Sequence, residues 1–127
     1  MSNKSEGTKL EKKVADLLYK DGWWVHLLTQ SSAGQPADII ACKDITTLLI
    51  DCKDCKGKSF DLDRVEENQM NAMRLFTERT MGLALFVIQL NDKLYFIDYT
   101  AIMDAIERGN KALKEQWLEN NKENWNL

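Results

Sequence analysis

Apolar residues first recur at a helical spacing and then, past Gly22, at a strand spacing. Leu10, Val14, Leu17 and Leu18 share one face at the 3.6-residue repeat, which predicts a helix over residues 8–21, capped by Thr8 or Ser5 and stopped by Gly22. Residues 23–29 read as a strand, and residues 30–35 as a polar loop with Gly34 for flexibility. Two apolar runs, residues 39–41 and 47–50, flank the polar pair Lys43 and Asp44, the pattern of a β-hairpin. A charged loop follows, too polar to be buried, and a second helix is expected from residue 62 or 63 to 80, with Val65, Ala72, Met73 and Phe76 as its inward stripe. Gly82 precedes a strongly apolar strand, residues 83–90, and Asn91-Asp92 turns it into a partner strand, residues 94–98; both read as central strands covered by helices. Thr100 is positioned to cap a helix to about residue 108, Gly109 to break it, and residues 111–118 to add a further helical turn or two. Residues 119–127 are expected to be loosely held, with Trp117 and Trp125 as docking points. The expected architecture is an α/β domain spanning residues 1–127, with a central mixed sheet of four or five strands flanked by helices.

The first hairpin concentrates the chemistry. Strand side chains alternate, so Asp51 and Lys53 share a face and Cys52 points the other way. With the turn near Asp44 or Ile45, Asp38 falls opposite residues 51–53, where facing Cβ atoms are roughly 4.5–5.5 Å apart. Two carboxylates that close repel unless a proton or cation lies between them. Glu11 adds a third, roughly 20° from Leu18 on the face of the first helix that should be buried. Gln69 falls in the middle of the apolar stripe of the second helix, where a buried amide needs partners. An isolated Asp-x-Lys is as often a strand-end salt bridge, and an isolated buried-face Glu more often lies at the rim; their convergence favours a magnesium site.

Composition narrows the classes. The chain has 127 residues, a hydrophobic fraction of 44%, a charged fraction of 29% and a net charge of -3, so overall basicity does not supply nucleic-acid binding. Basic residues gather instead at Lys4, Lys9, Lys12, Lys13 and Lys20 and at Lys53, Lys56 and Lys58. Gly57 lets a backbone approach a phosphate, which Lys56, Lys58 and Ser59 could neutralise and hydrogen-bond, as could Ser31 and Ser32. The chain has no apolar run that could span a bilayer and no signal-peptide core, so a cytoplasmic protein without a membrane partner is expected. Cys42, Cys52 and Cys55 are expected as free thiols; with His26 they could be counted as zinc ligands, but Cys42 and Cys52 sit in apolar strands and zinc is not expected.

The order of these features resembles the PD-(D/E)xK nuclease superfamily: helix with Glu11, strand, Pro36-Ala-Asp38, Ile50-Asp-Cys-Lys53 and a helix with Gln69. More narrowly, residues 7–102 resemble the RecU type of Holliday-junction resolvase, through Gly7-Thr-Lys-Leu-Glu11, Lys58-Ser-Phe-Asp-Leu62, Asn68-Gln69-Met70 and Met73, and the later hairpin. The chain departs from that type in two ways. Residues 29–37 are too short for its stalk insertion, which makes the compact outline closer to archaeal or phage resolvases, and Asp51 stands where a glutamate is usual.

The resemblance implies a restriction-endonuclease-like fold and a metal-dependent DNA endonuclease resolving junctions by paired nicking from a homodimer, in a prokaryotic or phage-infected cell. It implies Glu11, Asp38 and Asp51 as ligands of Mg²⁺, with Mn²⁺ as a substitute, Lys53 as the water-orienting group and Gln69 as an active-site helper. Lys9, Ser31, Ser32, Lys56, Lys58 and Ser59 are the expected DNA contacts. The competing readings are a flap, duplex or structure-unspecific nuclease, a non-cleaving DNA-binding module of the same fold, and a zinc-stabilised domain.

Overall fold

A computed structural model describes residues 3–28 and 37–124, with side chains from residue 9 onward. The side chains of Ser5 and Thr8, together with Ser31, Ser32, the loop at residues 30–35 and Trp125, therefore lie outside what is described. Along the chain come α1 (Asn3–Lys20), β1 (Trp24–Leu27), β2 (Ile39–Lys43), β3 (Thr46–Asp54), β4 (Ser59–Asp61), a 3₁₀ turn (Leu62–Arg64) and α2 (Glu67–Arg79). They are followed by β5 (Leu83–Leu90), β6 (Lys93–Asp98), α3 (Tyr99–Glu107), β7 (Ala112–Lys114) and α4 (Glu115–Asn121).

Five strands form one mixed sheet in the order β1-β2-β3-β5-β6. Only the β3–β5 pair is parallel, because the connection between them carries α2 over one face of the sheet. The alternation of β3 and β5 sorts their side chains into two cores. Leu48, Ile50, Leu85 and Val87 pack with Leu10, Val14 and Leu18 of α1. Leu49, Phe86 and Ile88 pack with Met73 and Ile102 on the opposite side. The C-terminal end of β3 is thus approached by one helix from each face.

Two glycines answer geometric demands that shape the sheet's helices. Gly22 ends α1 at a φ of 94°, as its spacing predicts. Gly82 lets α2 close onto the sheet: a Cβ there would stand 2.5 Å from Phe76 and 2.8 Å from the Thr47 carbonyl oxygen. The Asn91-Asp92 turn has positive φ at both residues, the backbone that suits a two-residue hairpin.

Several local expectations are corrected. α1 begins at Asn3, before residue 8. The charged stretch after β3 is not wholly surface loop, because Phe60 is fully buried and β4 pairs with β7, Ser59 opposite Lys114 and Phe60 opposite Leu113. That pairing turns residues 112–114 from helix into strand and holds Leu62 through its N–H to the Lys111 carbonyl. The second helix is consequently delayed to Glu67. The cap of α3 is Asp98, whose carboxylate accepts from the Thr100 N–H and hydroxyl. β6 is an edge strand; α4 packs beside it, Tyr95 donates to Glu119, and the Glu123 N–H bonds the Phe96 carbonyl, so residues 119–123 are tied down.

Gly82→Ala is expected to destabilise the fold by about 1–3 kcal/mol, since Phe76 must move and a backbone oxygen cannot. A urea midpoint unchanged from wild type would show that α2 is not seated so tightly.

Candidate active site

Asp38 is fixed by the sheet on three sides. Its N–H bonds the Ile50 carbonyl, its carbonyl accepts from Leu28, and its Oδ2 accepts from the Cys52 N–H at 2.7 Å. The carboxylate therefore reaches across from the start of β2 to the end of β3, as the hairpin register predicts. Asp51, on β3, is 2% exposed and points to the α2 face with Lys53. Lys53 Nζ lies 3.1 Å from Asp51 Oδ2.

Gln69 completes this side. Its Nε2 donates to Asp51 Oδ1 at 3.1 Å, and its Oε1 accepts from Lys53 Nζ at 3.2 Å. The same Oε1 takes the Glu66 N–H at 3.4 Å, half of a reciprocal cap on the first turn of α2. One amide thus ties the helix start to both hairpin residues. The spacing of the apolar stripe placed Gln69 inward; the non-helical start that makes it an N3 residue was not visible.

Glu11 arrives from α1 on the other face. Burial and the neighbouring Asp38, which shares a hydrogen bond with it, push its carboxyl up to about 7. Burial also pushes Asp51 up to about 7; Lys53 opposes that rise and Asp38 adds to it. The acids stand in series, with Asp38 in the middle. Among the described residues no three His, Cys, Asp or Glu side chains are already closed into a metal shell.

The residues nevertheless fit a divalent cation. Asp51 Oδ2 is buried and accepts no well-aligned hydrogen bond, despite its ion pair with Lys53. A hard cation between oxygen donors would relieve both that orphaned atom and the repulsion among the acids. Zinc is disfavoured by chemistry: burial and the adjacent carboxylates raise the Cys52 thiol well above its ordinary range, and thiolate is the ligating form. Cys52 and Cys55 pack into opposite cores, and all three cysteines are free thiols. His26 is exposed on the edge strand, stacked against Trp24.

Of the expected DNA contacts, Lys9, Lys56 and Lys58 are exposed and Ser59 is half-buried on β4. Lys9 and Lys56 line one depression together with Lys13, which the sequence places in the basic cluster but not among the expected DNA contacts, and Gln89, which it does not mark. Their signal is weak in sequence because Lys13 and Gln89 are 76 positions apart.

A family model described as archaeal Holliday junction resolvase (Hjc) matches residues 2–122. The structure is similar to that of Archaeoglobus fulgidus Hjc, a Holliday junction resolvase from an archaeal hyperthermophile, with a TM-score of 0.72 and 20% identity, covering 92% of this chain and 95% of that one. No curated protein sequence gives a significant match.

The two raised carboxyls set a pH dependence. Between the ordinary carboxylate range and about 7 the folded protein holds protons that the unfolded chain has lost, so metal-free stability falls as pH rises through that window. Asp51→Asn should therefore raise the metal-free melting temperature at pH above 7 by about 3–6 °C, with the gain closing toward the acidic end. Added Mg²⁺ should stabilise wild type more than the variant. A variant no more stable than wild type above pH 7 would show that the buried charge carries no cost.

Proposed function

The chain belongs to the archaeal Holliday junction resolvase family, and from that membership and the site's geometry we propose how its residues cut DNA. It is a junction-resolving endonuclease of the PD-(D/E)xK superfamily, whose resolvases use divalent metals. The finer reading is that Glu11, Asp38 and Asp51 hold Mg²⁺, or Mn²⁺ in its place, and that Lys53 and Gln69 serve the attacking water. The buried Oδ2 of Asp51, paired in charge with Lys53, without an aligned hydrogen bond and crowded by Asp38, is the observation that carries this reading.

When bound, the ion would polarise the scissile phosphate and lower the pKa of a water. The remaining work falls to the chain. The Cys52 N–H fixes one oxygen of Asp38, which leaves the other for the cluster. Gln69 holds Asp51 and Lys53 in one orientation, so the ammonium is preorganised. An ammonium has three donors; with one bonded to Gln69 and its charge paired with Asp51, Lys53 can still orient a water or meet charge developing on the phosphate. Lys56, Lys58 and Ser59 lie beyond the end of β3 and would carry the DNA backbone past the site, with Lys9 on the α1 side.

The likeness of residues 58–62 and 68–70 to RecU-type resolvases is read as shared active-site architecture within the superfamily. A homodimer making paired nicks across a four-way junction, in the cytoplasm, completes the proposal. Among the described residues no helix is long and apolar enough to cross a membrane.

Asp38→Asn and Lys53→Ala should each lower single-turnover cleavage of a four-way junction by at least about 100-fold while the melting curve stays cooperative. Wild-type protein should nick the junction symmetrically as a dimer and lose activity in excess EDTA. Full cleavage by either variant, or in EDTA, would contradict the assigned roles; equal cutting of linear duplex would contradict junction selectivity.

A further inference from the structure

Beside the acids, on the α1 face, lies a depression of about 310 Å³ lined by Lys9, Lys13, Asp54, Lys56, Gln89 and Asp92. Lys9 and Lys13 are one helical turn apart and so project from the same side of α1, about 6 Å apart along its axis. Asp54 follows Lys53 directly on β3, and Leu10, also in the wall, precedes Glu11. The depression therefore adjoins the proposed cleavage site on the face opposite Gln69.

Its floor is organised. Lys13 Nζ donates to Gln89 Oε1 at 2.9 Å, and Gln89 Nε2 donates to Asp54 Oδ1 at 3.0 Å. The Gln89 carbonyl accepts from Cys55, and the Asp54 carbonyl from Arg64, so the strand ends beneath are themselves anchored. Turning the amide over would set NH2 against the ammonium and C=O against the carboxylate, losing both side-chain bonds. Lys13, otherwise a long exposed side chain, is thereby held in one place with two of its three donors still available for a ligand.

The geometry points to this depression as a seat for a non-scissile phosphodiester of the bound DNA strand, held by Lys13 with Lys9 and Lys56, and to Gln89 as the residue that positions Lys13. Three ammonium groups exclude a cation as occupant. The two aspartates do not reverse the local sign, and Asp54 spends one oxygen on Gln89. Fixing Lys13 before DNA arrives removes part of the entropy lost on binding.

This inference rests on the DNA-cleaving reading and is tested apart from it by equilibrium binding of a four-way junction in EDTA across a salt titration. Lys13→Gln should weaken binding roughly tenfold and reduce the slope of log affinity against log salt by about 1. Lys12→Gln, the same charge change on an exposed residue of the same helix outside the depression, should leave most of both. Gln89→Met should weaken binding in the Lys13-bearing protein but add nothing in the Lys13→Gln background. Equal effects at Lys12 and Lys13, or independent effects at Lys13 and Gln89, would overturn the seat while leaving the nuclease reading intact. A Gln89→Met protein that loses thermal stability with an unchanged salt slope would reduce the bond to a structural tether and overturn the positioning role. Wild-type protein that does not bind the junction at all would overturn both readings.

Discussion

The crowding of Asp38 against Asp51 is the constraint to which the rest of the molecule answers. Asp38 immediately precedes β2 and Asp51 lies on the adjoining β3; they are 7% and 2% exposed and cannot both be charged without compensation. The fold supplies part of it: a backbone N–H to Asp38, an ammonium and an amide to Asp51. It leaves Asp51 Oδ2 with an ion pair but no aligned hydrogen bond, and a third acid, Glu11, pressed against the pair. A protein selected only for stability would have an apolar residue at position 51, as the neighbouring Ile50 and Leu49 suggest. The cost is retained where a cation can offset it.

The sheet makes that crowding possible. β3 is the strand at which antiparallel pairing with β2 changes to parallel pairing with β5, and both helices that face it deliver their N-terminal halves toward its C-terminal end. α1 brings Glu11 from one side and α2 brings Gln69 from the other. The tight contact of Gly82 with Phe76 seats the far end of α2, and the Gln69 cap seats the near end. Position along the helix, rather than a long loop, sets where Glu11 and Gln69 stand, which favours fixed geometry at the proposed site.

How much of this could be read from the chain depends on how local the cause is. Alternation placed Asp51 with Lys53, the hairpin turn placed Asp38 opposite them, and the helical period put Glu11 and Gln69 inward; each follows from a few neighbouring residues. The β4–β7 pair was not legible, because its strands are three residues long, half polar, and meet across some fifty positions of sequence, with Phe60 and Leu113 as the main apolar signal. That hidden pairing also explains the misplaced start of α2, since Leu62 is drawn toward Lys111 rather than into the helix. Asp98 took the cap expected of Thr100 because its carboxylate reaches both the Thr100 N–H and hydroxyl. The Lys13–Gln89 bond belongs to the same class as β4–β7, a long-range contact between residues that look ordinary singly.

The central claim is that the buried carboxylates share a cation. Anomalous diffraction from crystals soaked in Mn²⁺ tests it most directly: the account requires a manganese peak within coordination distance of both Asp38 and Asp51. Manganese bound elsewhere at full occupancy, with those two acids left unliganded at neutral pH, would contradict it.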